Sequence, residues 1–143
     1  MTPRLKKLPI GISTLSKIIE GDFVYVDKTP LALQLIESGG GYYFLSRPRR
    51  FGKSLFLDTL KSIFLGDKEL FQGLYIYDKY DFVPHPIIRI NFNNGRLTTK
   101  AEFNQRIYEI MYDNQKTLSI ECPKEFSSSG CFDNPVSYTH LRA

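Results

Sequence analysis

The chain has 143 residues, 42% of them hydrophobic and 14% aromatic, with 19 basic against 15 acidic residues and a formal net charge of +4. That balance excludes an intrinsically disordered chain and supplies apolar side chains enough for one domain with one core. The basic excess is local, since Arg47, Arg49 and Arg50 fall within four positions of one another, so charge by itself does not mark a nucleic-acid binder.

After a basic leader, Leu15, Ile18 and Ile19 recur at helical spacing behind Ser13 or Thr14 as N-cap, which predicts a short helix. Phe23 to Val26 joins aromatic and β-branched residues and reads as a strand. Thr29 as N-cap and Pro30 at the first helical position then open a helix through "PLALQLIES" that stops at Gly39 to Gly41. "YYFLS", residues 42–46, is a second strand-like run. Phe56, Leu60, Ile63 and Phe64 share one face of a helix that ends at Gly66. The aromatic stretch "DKELFQGLYIYDKYDF" predicts a short helix and a turn, and Ile87 to Phe92 a third strand. Thr99 followed by Glu102 forms a capping box before a helix carrying Phe103, Ile107, Ile110 and Met111. Beyond Asn114 the periodicity dissolves.

Cys122 and Cys131 lie in no CxxC and beside no histidine cluster, which argues against a metal site. No apolar run reaches signal-peptide or membrane-spanning length, so the expectation is a cytoplasmic protein with no membrane partner. The last eight residues, "VSYTHLRA", can be back-translated into a sequence resembling the end of a widely used transposase sequencing adapter. Residues 136–143 are therefore expected to be read-through and not native, leaving 1–135 as the native part.

The stretch "RPRRFGKS", Arg47 to Ser54, carries the chemistry. A nucleoside triphosphate needs converging backbone N–H groups, a nearby cation and an oxygen for Mg²⁺, and the pattern G-x-x-x-x-G-K-[ST] supplies all three. Here Gly52 permits close backbone approach, Lys53 neutralises phosphate charge and Ser54 offers a hydroxyl to Mg²⁺. A strand-like run precedes the loop, and a helix opens from it with its positive dipole end toward the phosphates. Arg47 stands where the general pattern has its first glycine. The readings of Arg47, Arg49 and Arg50 stay open between phosphate contacts, a nucleic-acid backbone and plain solvation. In "VDKT" the structural reading, in which Asp27 fixes a turn, Thr29 caps a helix and Lys28 is solvated, is preferred over a base- or ribose-contacting role for Asp27 or Lys28.

These segments, "LPIGISTLSKII", "YVDKTPLALQLIE" and "YYFLSRPRRFGKSLFLDTLKSIFLGDKELFQGLYI", resemble the N-terminal part of the bacterial AAA-ATPase-like family, whose members often carry a PD-(D/E)XK nuclease-like domain downstream. The arginine before "PRRFGKS" is usual in that family. The resemblance implies an α/β fold, a P-loop NTPase-like doubly wound sheet, cut short before the Walker B strand that would supply acidic Mg²⁺ ligands. It implies ATP and Mg²⁺ as cofactors, with Arg47, Pro48, Arg49, Arg50, Phe51, Gly52, Lys53 and Ser54 at the nucleotide and Ser54 on the metal. It implies also an ATPase parent coupled to a nucleic-acid or regulatory task in a C-terminal domain, with the present chain inactive alone. The alternative is a non-hydrolysing module whose arginine-rich loop binds a polyanion or nucleic acid.

Overall fold

The computed structural model describes residues 5–92 and 98–118. Those residues contain helices α1 (Leu15–Glu20), α2 (Thr29–Glu37), α3 (Lys53–Leu65) and α4 (Lys100–Leu118), with a 3-10 helix at Lys68–Phe71 between α3 and α4. The chain divides into two units, Met1–His85 and Pro86–Ala143. The expected read-through at 136–143 lies outside the described residues. Among the described residues, no helix is long and apolar enough to cross a membrane.

In the first unit, α1 packs on α3 and on the 3-10 helix, which also meets α3. Leu15, Ala32, Leu33, Ile63, Phe71, Ile76 and Phe82 form the core. Phe71 and Phe82 lie 5.2 Å apart in a tilted pair, and Tyr80 meets Phe82 edge to face at 5.5 Å. The stripe expected on α3 is only partly apolar. Ile63 is buried, Phe56 and Leu60 pack on the core, but Asp58, Thr59 and Ser62 are buried with them.

Asp58 explains that polar burial. Thr14 stands at the N-cap of α1, as expected, but its hydroxyl makes no cap bond. Instead the Asp58 carboxylate on α3 accepts the Leu15 N–H at 2.8 Å, satisfying an orphan amide of the helix start from another element. Gly66 ends α3 in the left-handed conformation, φ 82°. A Cβ there would fall 2.8 Å from the Phe82 carbonyl oxygen and 3.0 Å from the Pro84 ring, so glycine serves both the turn and the close approach.

The doubly wound sheet is not present: among the described residues no strand forms, and a single parallel bridge pairs Lys7 with Phe23. A strand-like composition selects extended backbone, but a strand exists only when a neighbouring edge accepts its ladder bonds. Residues 42–46 find no such edge and stand in solvent, with Tyr42 and Phe44 fully exposed. Phe23 to Val26 obtains one contact of this kind, the Val24 N–H donating to the Lys7 carbonyl at 2.9 Å.

The second unit shows what replaces a ladder in the third apolar run. The Asn114 carboxamide on α4 accepts the Arg89 N–H at 2.8 Å and donates to the Arg89 carbonyl at 2.9 Å. A side-chain amide thus performs for one residue of Ile87 to Phe92 the two-way pairing a neighbouring strand would give. The Phe92 and Phe103 rings stack at 5.9 Å. The capping box is present: Glu102 N–H donates to Thr99 Oγ1 and Thr99 N–H to Glu102 Oε2, both at 3.1 Å, while Thr98 N–H also reaches that carboxylate at 2.8 Å.

Candidate functional site

Residues 47–52 form an exposed turn that leads directly into α3. Two left-handed residues bend it, Arg50 at φ 66° and Gly52 at φ 77°. Open space surrounds the position a Gly52 Cβ would take, so the glycine is required there by backbone conformation rather than by room. The first intrahelical bond runs from Phe56 N–H to Gly52 O at 2.9 Å. The amides of Lys53, Ser54 and Leu55 precede it and have no carbonyl one turn back within the helix.

Lys53 is the first residue of α3, and its ammonium turns back over the loop to donate to the carbonyls of Arg47 and of Pro48, the latter at 3.1 Å. The structure therefore gathers Arg47, Pro48, Gly52 and Lys53 into one cluster. Arg49, Arg50 and Phe51 are exposed beside it, and no arginine of the loop makes an ion pair among the described residues. Ser54 lies exposed on the first turn of α3, with no hydrogen bond from its hydroxyl among the described residues. A cation, unpaired helix amides and a free hydroxyl at one helix start form a donor set that fits a phosphate chain with Mg²⁺.

"VDKT" proves to be a tertiary joint. Asp27 Oδ1 accepts both the Thr29 N–H, at 2.8 Å, and the Thr29 hydroxyl, at 2.7 Å, while its Oδ2 accepts the Tyr75 N–H at 2.8 Å. The Thr29 hydroxyl in turn accepts the Ile76 N–H at 3.2 Å. Thr29 is already the first residue of α2, with Lys28 at the N-cap, so the carboxylate that satisfies the start of the helix belongs to Asp27. Burial pushes the Asp27 carboxyl up, but the Tyr75 and Thr29 donors outweigh it and hold the group below the ordinary aspartate value.

Beside the loop lies a cavity of about 420 Å³, walled by the extended residues 24–26, by Leu31 of α2 and by the first turns of α3, with Arg47, Gly52 and Lys53 at one side. Sequence periodicity did not point to it, because its lining comes from Pro9, from Ile18 of α1 and from residues of the 24–31 and 45–59 stretches, which no single period spans. Thr59, buried at its floor, donates to the Leu55 carbonyl at 2.9 Å. Tyr25 also lines it, and burial pushes its phenol up against the opposing hydrogen bond to Thr59, so the hydroxyl keeps its proton at neutral pH.

The family described as Predicted AAA-ATPase matches residues 9–141. A protein of Azotobacter chroococcum mcd 1, "Uncharacterized protein in vnfD 5'region", is 53% identical over 119 residues, an alignment that covers 82% of this chain and 23% of that protein. The chain thus spans about a quarter of the length of the curated relative it matches. No solved structure matches it. The match takes in the loop, α3 and the "VDKT" joint together, and the chain belongs to the AAA-ATPase-like family.

Proposed function

We propose that the loop from Arg47 to Ser54 binds the triphosphate of ATP, with Mg²⁺ on the Ser54 hydroxyl, in the cytoplasm. In a protein of its relative's length, this ATP-binding region would belong to an ATPase coupled to a nuclease-like or regulatory domain. The observation that carries the reading is the placement of Lys53: it opens α3 behind a left-handed glycine, with its ammonium held over the loop it would share with phosphate. Bound there, the phosphates would take the amides at the start of α3 in place of water and exchange the Arg47 and Pro48 carbonyls for their own oxygens as partners of Lys53. Titration of Mg·ATP into the chain tests it by calorimetry. Lys53→Ala is expected to abolish the heat of binding, and an unchanged affinity would refute the assignment.

A second reading, the polyanion-binding module, is favoured by one observation: Arg47, Arg49 and Arg50 are all exposed and none forms an ion pair among the described residues. The salt dependence of binding separates the two readings.

A further inference from the structure

Exposure along the run "YYFLS" alternates. Tyr42 is 107% and Phe44 93% exposed, whereas Tyr43 is 55% and Leu45 43% exposed. A period of two belongs to extended backbone, so Tyr42 and Phe44 share one face and Tyr43 and Leu45 the other. The second of these faces turns toward the fold: the Tyr43 hydroxyl meets Ser38 Oγ and donates to the Leu35 carbonyl in the last turn of α2, and Leu45 borders the cavity beside the loop. At the other end the Lys53 ammonium donates to the Arg47 carbonyl. The backbone of residues 42–46 makes no hydrogen bond among the described residues. The run is therefore a strand edge tied down at both flanks, with its amides and carbonyls open and two aromatic rings in water.

We propose that this edge pairs with the same edge of a second copy of the chain, antiparallel and centred on Phe44. The first reason is the fit of the ladder. In that register Phe44 lies opposite Phe44 of the second copy, Tyr42 opposite Ser46 and Tyr43 opposite Leu45, so large apolar side chains meet on both faces while the open amides find carbonyls. The second reason is charge. Arg47, Arg49 and Arg50 follow the run and make no ion pair among the described residues, whereas the uncharged Gly39, Gly40 and Gly41 precede it. Antiparallel pairing sets Arg47 beside Gly41 of the second copy and holds the two Arg47 positions about 20 Å apart, roughly twice the screening length in physiological salt. Parallel pairing would bring both arginine clusters to about 5 Å, one strand spacing. The exposed side chains also bound the strength. An aromatic side chain buries about 150 to 250 Å², so covering this run in both copies removes at most roughly 1,000 Å², the small end of specific interfaces. The dimer is accordingly reversible and of micromolar affinity.

Sedimentation equilibrium of the full 143-residue chain tests it. Over about 1 to 500 µM the expected result is a monomer–dimer equilibrium with a Kd on the order of 10 to 100 µM. Phe44→Lys and Phe44→Glu each set like charges opposite one another at the centre of the pair, and each should raise Kd at least about tenfold. Phe44 is exposed, so neither substitution enters the core. An equimolar mixture of the two variants sets opposite charges across the same position and should restore the dimer. Ser46→Val, facing Tyr42 of the second copy, should tighten it. Amide exchange at residues 42–46 should slow as concentration rises. A chain that stays monomeric across the range, association that runs on past the dimer, or a mixture no more dimeric than its components would overturn the pairing. A dimer that tightens steeply with added salt would reveal abutting arginine clusters and overturn the antiparallel register. A monomer whose 42–46 amides already exchange slowly would assign the edge to another part of the same chain and overturn the second copy as its occupant.

Discussion

Asp27 accepts the backbone N–H of Tyr75 at 2.8 Å across 48 positions of sequence. With the two Thr29 donors on its other oxygen, the carboxylate ties the start of α2 to the turn that follows the 3-10 helix. Asp27→Ala leaves these donors without their acceptor and is expected to cost about 2 kcal/mol, the range of hydrogen bonds to a charged group. Asp27→Asn should cost less. Because the carboxyl is held below its unfolded value, its contribution is complete above the unfolded pKa and is lost as pH falls through the lower folded one. Urea midpoints measured from pH 6 downward should therefore drop below about pH 4, and Asp27→Asn should flatten that slope.

Asp58 makes a comparable link from inside the fold, accepting the Leu15 N–H where both residues are buried. Asp58→Ala strands that amide, and the expected loss is about 1 to 3 kcal/mol. Asp58→Asn retains an acceptor oxygen and should recover much of it. Chemical denaturation checks both, and hydrogen exchange should show the Leu15 amide losing protection first.

Two glycines separate steric from conformational cost. Gly66 and Gly73 have nearly the same φ, 82° and 81°, but a Cβ at Gly66 meets the Phe82 carbonyl and Pro84 while one at Gly73 meets nothing within 4 Å. Gly73→Ala should cost only the left-handed penalty of about 1 to 2 kcal/mol. Gly66→Ala should cost clearly more, and equal melting temperatures for the two variants would contradict the close approach.

Ser54 should be felt only through the metal. Ser54→Ala is expected to weaken ATP binding when Mg²⁺ is present and to leave binding in a chelator unchanged, because the hydroxyl serves a hard cation that needs oxygen ligands. Titrations with and without Mg²⁺ compare the two conditions directly.

The double variant Arg49→Ala with Arg50→Ala distinguishes the polyanion reading. A nucleic-acid patch predicts that the slope of log K against log salt falls by about one unit per lost phosphate contact. The nucleotide loop predicts an unchanged slope beside an altered ATP affinity.

What could be read from the sequence was whatever is decided within about one turn of chain. The glycine stops, the capping box of Thr99 and Glu102 and the helix that opens at Lys53 depend on near neighbours, and they stand where the pattern puts them. The bonds from Asp58 to Leu15 and from Asp27 to Tyr75 join residues 43 and 48 positions apart, and no local periodicity carries them. The apolar stripe on α3 does not reveal the first, since Asp58 is not among the positions Phe56, Leu60, Ile63 and Phe64 that define it. The strands failed for the same reason in reverse. Composition at 42–46 and at Ile87 to Phe92 favours extended backbone, but pairing depends on a partner edge, and at Arg89 the partner turned out to be the Asn114 side chain. The loop was legible as a contiguous run of residues, whereas the cavity beside it was not, since its lining is drawn from stretches between Pro9 and Thr59.

The position of Asp58 puts a second point of attachment near the middle of α3, close to the one at its start. Lys53 begins it at the phosphate loop, and Asp58 lies five residues further on, a rise of about 7.5 Å at helical spacing, where it grips the first amide of α1. Between these points the backbone is one run of helix that bends poorly over so short a length. The phosphate loop and the start of α1 are thus joined through less than two turns of one helix and a single hydrogen bond of 2.8 Å.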